Sequence, residues 1–137
     1  MTYRILHLED SEADQLLLAI QLKGLTGIEV ELTQVGRLSE ALEQLHHCSF
    51  DLVVSDLQLA ECEGAELLRA VVAQADGTPV VACSGHPESF LGFSAHELGA
   101  AAYISKDVMP ESDALARVLL PVLTAPASGA TQRLVSG

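Results

Sequence analysis

Short apolar runs, each closed by polar residues, alternate along this chain with longer stretches whose apolar positions return every three or four residues. The clearest run is Phe50-Asp51-Leu52-Val53-Val54-Ser55-Asp56, which is rich in β-branched residues and ends abruptly in a carboxylate. A run apolar on both faces suits a buried parallel strand, and strict alternation suits a half-exposed one. On this basis strands are predicted at residues 3–8, 28–35, 51–55, 79–83 and 100–104, with only 28–35 alternating.

Helices are predicted between them. Ser11 is placed to cap the first, which runs to about residue 25, with Ala13, Leu16, Leu17, Ile20 and Gly24 forming one buried stripe. The second starts near Ser39 and turns Leu38, Ala41, Leu42 and Leu45 to one side. The third covers about 65–73, with Leu67, Leu68, Val71 and Val72 inward. Asp76-Gly77-Thr78-Pro79 is turn chemistry. Residues 87–98 read as a weak, mobile helix. Pro110 suits the first turn of a last helix, in which Leu115, Val118, Leu119 and Val122 face inward and Pro121 ends or kinks the pattern. Residues 1–123 then form one domain, and 124–137 read as a tail or linker. Strands alternating with helices imply an α/β fold of parallel βαβ units with right-handed crossovers.

Composition narrows the function. The balance of 19 acidic to 7 basic side chains gives a formal charge of −12. That disfavours direct nucleic-acid binding, which needs clustered Lys and Arg, and equally an anionic membrane surface. No run approaches the ~18–20 apolar residues that span a bilayer. The start of the chain meets Glu9 and Asp10 where a secretory signal would stay apolar, so a cytoplasmic location is expected. Cys48, Cys62 and Cys83 lack metal-ligand spacing and are expected as reduced thiols, with Cys62 the more exposed to incidental oxidation.

In parallel sheets ligands bind beyond the carboxyl ends of the strands. Collecting the residues that close each run puts Glu9 and Asp10, Asp56, Ser84 and Lys106 at one edge. Three neighbouring carboxylates repel unless a cation intervenes. An all-oxygen set without Cys or His suits Mg²⁺, which is typically held by one or two carboxylates plus phosphate oxygens. Lys106 can bind phosphate as a point charge and Ser84 offers a hydroxyl. The set suits phosphoryl transfer, in which the protein mainly positions groups and neutralises charge.

With Glu9-Asp10, Asp56, Gly64, Ser84, Tyr103 and Lys106 in this order and spacing, the chain resembles the receiver domain of two-component response regulators over about residues 3–123. The resemblance implies a flavodoxin-like (βα)5 sheet of order 2-1-3-4-5. It implies Asp56 as the nucleophile taking a phosphoryl group from a kinase phosphohistidine, with Glu9, Asp10, Asp56 and the Gln58 backbone carbonyl around Mg²⁺. Lys106 would pair with Asp56 and then with its phosphoryl group. Ser84 would bond the phosphoryl group, and Tyr103 would turn inward behind it. The chain would be a signalling switch rather than an enzyme, catalysing only its own phosphorylation and dephosphorylation. Its partners would be a histidine kinase or histidine phosphotransfer protein, and a downstream protein target or linked output domain. Two positions depart from the family pattern. Asp107 stands where a proline with a cis bond usually follows the lysine, and Ala60 where a proline usually stands four residues after the acceptor. Non-proline cis bonds cost ~2.5–4 kcal/mol, so a trans bond or an altered loop is expected.

Other assignments compete. Asp56 alone could cap a turn, Glu9-Asp10 could serve only the helix that follows (~0.3–1 kcal/mol), and Tyr103 could be a core aromatic. His7, within a strand, is expected to be a hydrogen-bonded structural residue, and His86 a solvated loop histidine. His46-His47-Cys48 has metal-like types, but neighbours on a helix point apart. A phosphorylation-independent interaction module on the same fold is the alternative function. Phosphatases of the haloacid-dehalogenase type place an aspartate two residues after the nucleophile, and Toprim nucleases want an Asp-x-Asp; Gln58 speaks against both.

Overall fold

The computed structural model describes residues 2–86, 91–107 and 113–124. Five parallel strands form one sheet: β1 (Thr2–Leu8), β2 (Glu29–Val35), β3 (Leu52–Asp56), β4 (Val80–Ser84) and β5 (Ala102–Ser105), in the order β2-β1-β3-β4-β5. The strand order is the flavodoxin-like one that the resemblance implied. Every residue of β3 and β4 is buried, whereas β2, at the edge, has none buried, with Glu29 and Glu31 exposed and the rest half-buried.

Helices cover both faces: α1 (Glu12–Lys23), α2 (Leu38–His47), α3 (Gly64–Ala75) and α4 (Ala114–Leu123). Because strand side chains alternate, β1 sends Leu6 and Leu8 into one core with Val53, Ala41, Leu67, Leu68 and Val71, beneath α2 and α3. It sends Ile5 into a second core with Val54, Val81, Leu18, Leu22, Leu115 and Leu119, beneath α1 and α4. Each fully buried leucine contributes ~1.5–3 kcal/mol. No helix among the described residues is long and apolar enough to cross a membrane.

Two predicted features are corrected. In α1 the buried residues are Leu18 and Leu22, while Leu16 and Ile20 are 62% and 59% exposed, and Ala13 and Gly24 are exposed too. The helix is apolar on more than one side, so a second i, i+4 pair competes with the expected stripe, and only packing on the sheet decides between them. The expected helix at 87–98 is absent from its described part, so the described residues hold four helices where five were expected. Residues 91–99 form bends and a turn, in which Leu98 N–H reaches Ser94 and Ala95 and Gly99 N–H reaches His96. Gly92 and Gly99 have φ of 77° and 106°, outside the helical range. The turn is anchored by Ala95, which is fully buried.

In α4, Pro121 lies two residues before the last helical residue, so the pattern stops within a turn. Leu115, Leu119 and Leu123 are its buried residues, with Val118 and Val122 half-buried. Pro110 and the tail from residue 125 lie outside the described residues.

Candidate functional site

The five strands end at one edge, and that edge gathers the residues the sequence singled out. Glu9 and Asp10 follow β1, Asp56 and Ser84 end β3 and β4, and Lys106 follows β5. Glu9 and Asp56 are each 1% exposed, whereas Asp10 is exposed. One carboxylate oxygen from each of the three lies within 4.8 Å of the others, the only such His, Cys, Asp or Glu group among the described residues. His46, His47 and Cys48 form no such cluster; the two imidazoles meet edge to face.

Glu9 is fixed by local structure. Its Oε2 accepts from Ser11 N–H at 3.2 Å, and its carbonyl accepts from Gln15 Nε2 at 2.6 Å. Ser11 in turn caps α1, its hydroxyl accepting from Asp14 N–H at 3.3 Å, as the sequence suggested. Asp10 Oδ2 accepts from Ala60 N–H at 3.0 Å. A proline at position 60 would have no N–H to give, so this departure from the family pattern adds a tie between the loop and Asp10. The loop is pinned again by Glu61, whose Oε1 accepts from Leu38 N–H at 2.7 Å. That carboxylate caps the start of α2, where Arg37 at the N-cap makes no side-chain cap bond. Gly64 begins α3 at φ 73° with its N–H on the Leu57 carbonyl at 2.7 Å, a conformation that favours glycine.

Lys106 projects its ammonium among the carboxylates. Nζ lies 2.7 Å from Glu9 Oε1, 2.8 Å from Asp14 Oδ2 and 3.4 Å from Asp56 Oδ2. Burial works against its charge, but hydrogen bonding to the Asp14 and Glu9 carboxylates outweighs it and pushes its pKa up. Asp56 moves toward the neutral acid: burial, then the Glu9 charge, raise it to about 7 against the opposing pull of Lys106. Its Oδ1 is buried and accepts no hydrogen bond among the described residues. The Lys106–Asp107 bond is trans, as no described peptide bond is cis.

On the β4 side Ser84 is fully buried. Its hydroxyl donates to Gln58 Oε1 at 3.4 Å and accepts from His86 N–H at 3.1 Å. Gly85 N–H also reaches Gln58 Oε1, at 3.4 Å. The half-buried Tyr103 donates its phenol to the His86 carbonyl. Gln58, Ser84, His86 and Tyr103 thus form one hydrogen-bonded line leading from the loop after β3 to β5. The His86 backbone makes this link, which ring chemistry in the sequence could not signal. Gln58 enters through its side chain. The bridge that joins it to Glu63 is bonded through Leu57 and Leu59, outside its own carbonyl.

Asp14 is the residue that sequence reasoning missed. Its partner Lys106 lies 92 residues away in the chain, so no local pattern signals the pair. Behind the site His7 is 1% exposed, its Nδ1 3.1 Å from Gln34 Nε2, which also donates to the Gln15 carbonyl at 2.7 Å. Burial, then the Lys106 charge, lower its pKa to about 4, with Asp14 opposing. His7 is thus the hydrogen-bonded structural residue expected. The three thiols are free. Cys62 is half-buried, and burial and Glu66 push its pKa up, which makes it less reactive than its loop position suggested.

Comparison with known proteins gives this arrangement a context. The receiver domain of the sensor histidine kinase PA1611 from Pseudomonas aeruginosa PAO1, solved with a magnesium ion coordinated in its active site cleft, superposes with a TM-score of 0.73. It is 20% identical, covering 90% of this chain and 99% of that one, a likeness of fold. NtrX from Brucella abortus is 28% identical with a TM-score of 0.76, over 99% of this chain and 30% of its own. The transcriptional regulatory protein FixJ of Bradyrhizobium diazoefficiens is 35% identical over 65 residues, 47% of this chain and 32% of that relative. The chain therefore spans only about a third of the longer regulators it matches. The family model of the response regulator receiver domain matches residues 5–118, and the chain belongs to that family.

Proposed function

We propose that this chain is a phosphoacceptor switch, taking a phosphoryl group from a kinase phosphohistidine onto Asp56. The observation that carries the proposal is the buried, unpartnered Asp56 Oδ1 within a cage of Glu9, Asp10 and Lys106. In the transfer an Asp56 oxygen forms a bond to phosphorus as the phosphorus–nitrogen bond of the donor breaks. The electron pair stays with the donor imidazole, which takes up a proton.

The donor set suits a hard divalent cation: three carboxylates, two of them buried, and no soft ligand. Glu9, Asp10, Asp56 and the Gln58 carbonyl would hold Mg²⁺, which when bound neutralises charge shared by the carboxylates and the incoming phosphoryl group. Lys106 supplies a positive charge beside Asp56 and Glu9. Ser84 would leave Gln58 to donate to a phosphoryl oxygen. The line through His86 would then rearrange, turning Tyr103 inward and altering the surface beside β5.

The partners that follow are a histidine kinase or phosphotransfer protein upstream, and a protein target or linked output domain downstream. The greater length of the matched regulators supports the linked domain. The location is cytoplasmic, where such donors act. Ala60 and Asp107 favour a second reading, a receiver that docks constitutively without phosphorylation. Intact-mass measurement after incubation with acetyl phosphate and Mg²⁺ separates the two. The switch gives one added phosphoryl group, lost in Asp56→Asn and in chelator; a constitutive module gives none, and its partner binding ignores Asp56→Asn.

A further inference from the structure

Lys106 makes its longest contact, 3.4 Å, with the proposed acceptor, and shorter ones to Glu9 and Asp14. An ammonium has three N–H donors and no acceptor; here three carboxylates crowd it, and Asp14 Oδ2 takes a hydrogen bond from it at 2.8 Å while Glu9 and Asp56 stand as ion-pair partners. A phosphoryl group on Asp56 adds oxygens that need a donor, and the carboxylates already around Lys106 compete with them for its ammonium.

The three contacts differ in what release costs. Glu9 is 1% exposed and held by Ser11, so an abandoned charge there stays desolvated. Asp56 carries the phosphoryl group itself. The Asp14 side chain is 39% exposed, so water can replace the ammonium. It also sits in the first turn of α1, where the helix amino terminus favours a negative charge. The Asp14 contact is the cheapest to break.

We propose that Asp14 is a positioning residue that holds Lys106 back from Asp56 and is exchanged for a phosphoryl oxygen during transfer. It acts through Lys106 and touches no reacting atom. The role rests on the phosphoacceptor function above and deepens it: the Asp14 contact belongs to the unphosphorylated state, so its strength sets how readily the site accepts phosphate. A half-exposed ion pair contributes up to ~1 kcal/mol, which corresponds to a rate change of up to roughly fivefold.

The test is the rate of phosphoryl uptake from acetyl phosphate with saturating Mg²⁺, followed by intact mass for the wild type, Asp14→Asn, Asp14→Ala and Asp14→Glu. Asp14→Asn and Asp14→Ala are expected to be about two- to fivefold faster. Asp14→Glu, which restores the charge, is expected to return toward the wild-type rate. A merely structural role would leave no such charge-dependent rescue. If the wild type is phosphorylated and both neutral variants are no faster, or if Asp14→Glu matches them, the role of Asp14 falls alone. If the wild type takes no phosphoryl group, the phosphoacceptor function falls and the role of Asp14 with it.

Discussion

Asp56→Asn is expected to stabilise the chain in the absence of metal, even though it removes the proposed acceptor. The Asp56 carboxyl is 1% exposed and shares its surroundings with Glu9, and its pKa rises from near 3.8 to about 7. Burial is the larger cause and the Glu9 charge the next, with Lys106 opposing both. The folded chain therefore holds this proton more tightly than the unfolded one. That advantage is complete below pH ~3.8 and disappears as pH rises through about 7, where the folded state carries an ionised, crowded carboxylate. Three pH units correspond to a ceiling of ~4 kcal/mol. Because Glu9 and Lys106 share the interaction, about 2 kcal/mol is the expected gain at pH 8, or roughly 5–10 °C in Tm. Urea denaturation in chelator at pH 8 and pH 5 measures it: Asp56→Asn should have the higher midpoint at pH 8, with the difference shrinking toward pH 5. Millimolar Mg²⁺ should narrow the gap at pH 8 by binding the wild type more tightly. An Asp56→Asn chain no more stable than wild type at pH 8, or a gain of equal size at pH 5, would refute the charge-crowding explanation.

Three further outcomes follow from the packing. His7 folds neutral, its pKa lowered from 6.5 to about 4, so the stability it contributes is present above 6.5 and lost as pH falls to 4. In the Asp56→Asn background this loss should reach at most ~3 kcal/mol, and His7→Leu should flatten that limb of the pH–stability curve. Gly99→Ala should cost ~2 kcal/mol or more, because its Cβ would lie 2.7 Å from Val72 Cγ1 at φ 106°; Gly27→Ala, at φ 84° in open space, should cost ~1 kcal/mol. Leu18→Ala should cost ~2–5 kcal/mol and Leu16→Ala no more than ~0.5 kcal/mol, as urea midpoints would show; equal costs would contradict the burial seen in α1.

The strands and their closing residues were legible in the sequence because a parallel sheet covered on both faces needs continuous apolar runs, and each run must stop where the edge meets water. Asp56, Ser84 and Lys106 mark such stops, so the cluster could be assembled from the order of elements alone. The buried face of α1 was not legible. Leu16 with Ile20 and Leu18 with Leu22 are equivalent pairs on an isolated helix, and only the second meets the sheet. The ties from Ala60 N–H to Asp10 and from His86 to Ser84 and Tyr103 run through backbone groups, which every residue carries and no motif records. Asp14 escaped for another reason, since its partner comes from the far end of the fold. The turn at 91–99 shows the same limit: weak periodicity interrupted by glycines was not enough to hold a helix.

The proposed switch requires that the phosphoryl group form an acyl phosphate on Asp56. Borohydride reduces an acyl phosphate to an alcohol, which converts the aspartate that carried it to homoserine. After acetyl phosphate and Mg²⁺ treatment, reduction and peptide mapping should place homoserine at position 56, with none when Mg²⁺ is withheld. An unmodified Asp56, or a reduced carboxylate at another position instead, would contradict the account.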